Sequence, residues 1–158
     1  MQVQDESYIK WKLFLEGNDE AYSWLYTSHI QLLYQYGLQI TSDTEVVKDC
    51  IQDVFVRIYK NKEKLSIPQN VKIYLMISLK NSIYNVFNKE RLEEDYVFNF
   101  HSIEEQHIAE NDFINEEEHR EQINEIKRIL HVLTPRQREI IYYRFIEEME
   151  YDEICQIM

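Results

Sequence analysis

The chain is poor in the residues that interrupt helices. Its 158 residues include 2 glycines and 2 prolines. That scarcity leaves little room for a turn-rich fold and suits long helices with short connections. Cysteine is equally scarce. Cys50 and Cys155 stand far apart and in no metal-ligand spacing. A disulfide framework is therefore set aside, and both read as small buried hydrophobes in a reducing compartment. There is no signal-peptide pattern and no long apolar run. These absences argue against secretion and direct membrane insertion and point to a soluble, cytoplasmic protein. No glycine-rich phosphate loop, nucleophile elbow or paired-carboxylate cleft is visible. The chain reads as a non-enzyme with no cofactor and no metal.

Positive charge is also short overall, but not everywhere. The net charge is -12. Residues 46–91 nevertheless carry nine Lys and Arg against four acids, while residues 92–125 carry one Arg against twelve acids. A polyanion meets a surface patch and not an average, so the local excess keeps nucleic-acid binding open for 46–91.

The stretch Val46 to Asn61 organises the rest. Its apolar residues fall at 46, 47, 50, 51, 54, 55, 58 and 59, one broad stripe of an α-helix. The other side carries Asp49, Gln52, Asp53, Val56, Arg57 and Lys60. Ser42 is the expected N-cap, with Glu45 closing a capping box. Before this helix, residues 7–16 predict a short helix with Tyr8, Trp11, Phe14 and Leu15 inward. A second helix runs from about Asp19 to Tyr36, capped by Asn18 and ended at Gly37. His29 on it reads as an ordinary partly buried or surface histidine. After a lysine-bearing connection, Val71 to Arg91 predicts a fourth helix. Its core row is Val71, Leu75, Leu79, Ile83 and Val86 or Phe87. Lys72, Lys80, Asn81, Tyr84, Asn85 and Asn88 are expected together on the other side, with positions 72, 76, 80, 84 and 88 as one projecting row.

Residues 92–114 lose periodicity and read as an acidic linker. Helical spacing returns from about Asn115 with Ile123, Ile126, Leu130 and Leu133. Thr134-Pro135-Arg136-Gln137 is a strong helix start. Ile140, Ile141 and Phe145 are the expected core row of that helix. A turn near Glu147 to Glu150 precedes a last helix whose apolar face ends the sequence, so further helices are expected beyond it. The fold class is all-α: two small helical domains, 1–91 and 115–158, joined by the linker.

Asp49-x-x-Gln52-Asp53-x-Phe55, followed by Arg57-Ile58-Tyr59-Lys60, resembles region two of bacterial RNA polymerase sigma factors of the extracytoplasmic-function type. LTPRQREIIYYRFIEEMEYDEICQIM, Leu133 to Met158, is similar to the entry of their domain four. Leu133, Pro135, Arg136, Gln137, Arg138, Glu139, Arg144, Tyr151, Glu153 and Ile154 fall at matching places. The resemblance implies that Asp49, Gln52, Asp53 and Arg57 dock on the β′ clamp helices of core RNA polymerase. Charge-assisted hydrogen bonds to a basic partner helix suit such a face. It implies that the 71–91 helix captures the promoter -10 element through Lys72, Lys80, Asn81, Tyr84, Asn85, Asn88, Lys89 and Arg91, with Lys60, Lys62 and Lys64 adding backbone contacts. Lysines neutralise phosphates, amides read base edges and an aromatic stacks a base. The -35 element would be read only with helices absent from this sequence. A membrane-linked anti-sigma factor is also implied as partner. The sequence departs from the family where Glu148 replaces a usual Gly, where Glu150 replaces a usual Ser or Thr cap, and where Asn88 and Glu90 thin the basic tract.

Two other readings compete. A helix–turn–helix regulator acting without polymerase would leave the Asp49 to Lys60 pattern unexplained. Glu104-x-x-His107 and Glu116-x-x-His119 have the spacing of di-iron bundles, but they sit twelve residues apart in the least periodic part of the chain.

Overall fold

A computed structural model describes residues 5–90 and 116–158, the side chains of 89, 90, 116, 118 and 119 excepted. Its seven described α-helices are α1 Glu6–Leu15, α2 Asp19–Ile40, α3 Thr44–Lys60, α4 Val71–Glu90, α5 Glu116–Val132, α6 Pro135–Ile141 and α7 Tyr151–Ile157. A 3-10 turn spans Lys62–Lys64 and a π-helical turn Tyr142–Ile146. The architecture is all-α, as the periodicity indicates. No described helix is long and apolar enough to cross a membrane. The described residues fall into two compact units, one holding α1, most of α2, α3 and α4, and one holding α5, α6 and most of α7. The 92–114 segment, Arg91 and the Glu104–His107 pair lie outside the described residues.

Side chains start the helices of the first unit. Asp5 accepts from the Ser7 N–H at 3.2 Å, and Asn18 Oδ1 accepts from the Ala21 N–H at 2.9 Å. For α3 the cap is Asp43, not Ser42. Asp43 Oδ1 accepts from the Glu45 and Val46 amides at 3.1 and 3.2 Å. Asp43 stands directly before the first helical residue, and its carboxylate also favours the positive end of the helix dipole.

α2 does not end at Gly37. It continues to Ile40, and Gly37 lies inside it. The glycine serves close approach: a Cβ there would meet Val47 Cγ1 at 2.5 Å. The two helices touch at this point nearly backbone to side chain.

The core of this unit is aromatic at one end and aliphatic at the other. Val47, Cys50, Ile51, Val54, Phe55 and Ile58 of α3 are buried, against Val71, Ile73, Leu75, Met76, Leu79 and Ile83 of α4. α3 and α4 make the largest helix contact. Phe14, Tyr22, Tyr26, Phe55 and Tyr59 form a chain of tilted and edge-on rings. The Tyr22 hydroxyl donates to Phe55 O at 2.9 Å. Trp11 is 1% exposed. Its ring meets Tyr74 edge-on at 5.3 Å, and its indole N–H donates to Ser66 O at 3.3 Å. The connection between α3 and α4 is thereby tied to α1. His29 is buried, with Nδ1 2.8 Å from Leu25 O and Nε2 3.3 Å from Ser7 Oγ, so it fastens α1 to α2.

In the second unit the Thr134–Gln137 capping box forms, at 3.3 and 2.9 Å in its two directions. The expected core row Ile140, Ile141 and Phe145 does not hold. Ile140 is 38% and Phe145 72% exposed, while Tyr142 and Tyr143 are buried. Ile140 lies before the π turn, on the outer side of the regular helix next to buried Glu139. For Phe145 the cause is the π turn. It widens the helix after Ile141 and rotates every later side chain out of the α register. Buried Glu139 accepts from the Tyr143 hydroxyl at 2.7 Å, which satisfies both groups. Cys50 is buried as expected, but Cys155 is exposed. On α7 the inward positions are Ile154 and Ile157, and Cys155 falls a quarter turn away.

Two substitutions test this packing in urea unfolding. Gly37→Ala is expected to cost about 1–3 kcal/mol, because the added methyl must displace Val47. Trp11→Phe is expected to cost about 1–3 kcal/mol by removing the donor to Ser66 and part of the ring volume.

Candidate functional site

Because α3 spends one side on the core, its other side is fixed in orientation by that packing. Asp49 and Asp53 are exposed, one turn apart on the outer strip. Val56 lies between them and Lys60 on the same strip and is 46% exposed. Asp49, Gln52 and Asp53 make no side-chain hydrogen bond or ion pair among the described residues. Their polar atoms are available to a partner. The four expected docking residues do not share one spot, however. Gln52 borders a hollow of about 400 Å³ toward α2, with Tyr26, Ile30 and Tyr34. Arg57 faces the opposite flank, toward α4. Burial pushes the Cys50 thiol up from its ordinary value, so it acts as apolar filler behind this strip.

The α4 residues separate similarly. Asn81, Asn85 and Asn88 are exposed, and Lys72, Lys80 and Tyr84 are half-buried. The row 72, 76, 80, 84, 88 does not project as one surface, since Met76 is fully buried. Steps of four residues overshoot a helical turn by about 40°, so the row winds from the core side at Lys72 and Met76 to the outer side at Asn88. Lys80 Nζ lies 5.9 Å from the Tyr84 ring centroid, and Lys62 Nζ lies 5.2 Å from that of Tyr59. Lys60 and Lys64 are exposed beside them in the chain. The Lys89 side chain and Arg91 lie outside the described residues.

Between α3 and α4 runs a groove of about 260 Å³, with Arg57, Asn61, Leu65, Tyr74, Ser78 and Asn81 among its lining residues. The connection that carries Leu65 is the one Trp11 holds through Ser66. Tyr74 and Ser78 were not among the candidates from sequence. The signal was present: Tyr74, Ser78 and Asn81 fall at i, i+4 and i+7, an aromatic, a hydroxyl and an amide on one helix face. Val56, a lone apolar residue in a polar strip, carries no motif in the sequence.

The turn between α6 and α7 is charged and strained. Glu148 has φ 53, a left-handed conformation. Arg144 donates to Met149 O at 2.9 Å and stacks 5.1 Å from the Tyr151 ring centroid. Glu150 starts α7, its N–H donating to Glu153 at 2.9 Å in a capping box.

Comparison with protein families finds two matches in order. Residues 25–93 match Sigma-70 region 2 and residues 123–158 match Sigma-70, region 4. Together they span about two-thirds of the chain. The chain belongs to the sigma-70 family. The pairing of these two regions supports the extracytoplasmic-function type. Comparisons with curated proteins and with solved structures returned no match. A sigma factor of this family binds core RNA polymerase and promoter DNA and serves promoter recognition. The region-2 match holds the outer strip of α3, the lysine-bearing turn, the groove and α4. The region-4 match holds the capping box and the turn at Glu148.

At that turn a side chain other than glycine costs about 1 kcal/mol in the left-handed region. Glu148→Gly in this sigma factor is expected to recover roughly that amount, read as a higher denaturation midpoint of the second unit.

Proposed function

We propose that the outer strip of α3 is the surface by which this sigma factor docks on the β′ clamp helices of core polymerase. The observation that carries this reading is the division of α3. One side is committed to the core, while Asp49, Gln52 and Asp53 stand outside with no partner among the described residues. Carboxylates held on a rigid helix, with exposed Val56 beside them, suit a basic partner helix with an apolar ridge. Arg57 flanks this strip and borders the groove as well.

The same reading gives the promoter -10 element to the surface made by α4 and the turn before it. Lys60, Lys62 and Lys64 hold backbone phosphates, with Lys72 and Lys80 beside the helix. Asn81, Asn85 and Asn88 offer amides to base edges, Tyr84 offers a ring, and Lys89 and Arg91 extend the basic run. The groove between α3 and α4 accepts one unpaired base. Domain two then comprises 1–91, with 92–114 as linker and 115–158 as the first part of domain four. Domain four is the part given to the -35 element. An anti-sigma factor that covers the α3 strip would hold the protein inactive. The protein works in the cytoplasm, as a binding factor and not as a catalyst.

The test is co-elution with bacterial core RNA polymerase, wild type beside Asp53→Arg. The expected result is a wild-type complex and at least about tenfold weaker association of the variant. Circular dichroism is expected to be equal, since Asp53 is exposed. Equal binding by both proteins would overturn the docking surface.

A further inference from the structure

We propose that the hollow between α2 and α3 is a small-molecule site for a neutral, flat heteroaromatic amide, and that its occupation blocks the outer strip of α3. The site stands on its own walls, and only the blocking rests on the docking reading of α3. The hollow measures about 400 Å³, inside the range of roughly 300–1,000 Å³ usual for small-molecule sites. Its floor is aliphatic. Ile51 is 2% exposed, and Ile30 is half-buried. A tyrosine of α2 stands toward each end. Tyr26 and Tyr34 are eight residues apart, roughly 12 Å along the helix axis, which leaves room for one or two fused rings. Tyr26 is braced edge-on against Phe55, ring centroids 5.0 Å apart, so the core sets that end. Such walls hold flat rings by burial of area and by contact with the phenol faces and edges.

The polar groups decide the class. Gln31 on α2 and Gln52 on α3 stand exposed on the two rims. Neither makes a side-chain hydrogen bond among the described residues. Each carboxamide carries a donor and an acceptor side by side, and another amide meets both at once. Charge gives less. Lys48 is the one formally charged residue among the described lining residues, and Glu45 holds its ammonium at 3.1 Å. A carboxylate brought to Lys48 meets the Glu45 carboxylate, and a cation meets Lys48 itself. Either ion also loses hydration against the aliphatic floor. A neutral amide avoids both costs.

The position gives the consequence. Gln52 is next to Asp53 in the chain and about one turn from Asp49 on the same helix. A ligand held by Gln52 sets its bulk beside both carboxylates, where a docked partner helix has to lie. Ligand and core polymerase then compete for one end of the strip, and the hollow makes docking answerable to a small molecule.

The experiment uses the full chain labelled at the isoleucine δ-methyls and followed by NMR. The probes are a quinoline carboxamide, the matching carboxylate and the matching aminomethyl compound, all substituted at the same carbon. The Ile30 and Ile51 signals are expected to move saturably with the carboxamide, at a Kd of about a millimolar, while that of Ile83 in the core stays. The two charged probes are expected to bind at least about fivefold more weakly. Gln31→Leu and Gln52→Leu change exposed side chains, and each is expected to bring the carboxamide down toward the charged probes. Equal binding of the three probes by wild type overturns the amide class. Signals that drift without saturation, or that shift over all isoleucines alike, overturn the site. A second arm follows co-elution with bacterial core polymerase at saturating carboxamide. A weaker complex supports the blocking, and an unchanged complex with the methyl signals saturated overturns it and leaves the site standing. If wild type forms no complex without the probe, the docking reading fails by itself, and the methyl signals still decide the site.

Discussion

The indole of Trp11 is the contact on which the first unit depends. A donor on α1 reaches the backbone of the only long connection between described helices in this unit, and its ring rests edge-on against α4. That connection has one short 3-10 turn and no ladder of its own. Without a fixed point it would be free to move relative to α4. With one, the Leu65 side of the groove is held at a set distance from the Tyr74 side. A buried aromatic in α1, remote in sequence from every basic residue discussed, thus sets the shape of the groove between α3 and α4.

α3 shows how a single helix serves two purposes without conflict. Its inner face is committed by burial of six side chains. Its outer strip carries groups that do nothing for folding, because exposed carboxylates far from a partner add little stability. Exposed polar groups are thereby separated from packing groups by rotation about one axis. The same separation holds for charge along the chain. A net charge of -12 coexists with a basic segment, because the acids concentrate after residue 91 and the lysines before it. Long-range attraction to a polyanion is weak for a chain of this net charge.

Much of this was legible in the sequence, and the errors have physical sources. Helix existence, the α3 stripe and the Thr134 capping box follow from periodicity and local hydrogen bonding, which are properties of short windows. Gly37 reads as a terminator in sequence because glycine has two uses, and only the neighbour Val47 reveals which applies. Ser42 was preferred to Asp43 as cap because adjacent capping residues differ only in register. Phe145 was placed inside because a π turn leaves no periodic trace and shifts everything after it. The groove was missed because it is made by two helices and a connection. Arg57 and Asn81 belong to separate motifs in the sequence, one implied for polymerase and one for DNA, while the fold brings them to a single hollow.

Asn61 closes the third helix with the same bond that turns its amide toward the groove. Helix ends fray before helices melt, because the last turn has the fewest supporting bonds. Warming therefore loosens Asn61 before it loosens the fold. The end of α3 and the wall of the groove it lines therefore share one weak point, and heat reaches that wall while the core still holds.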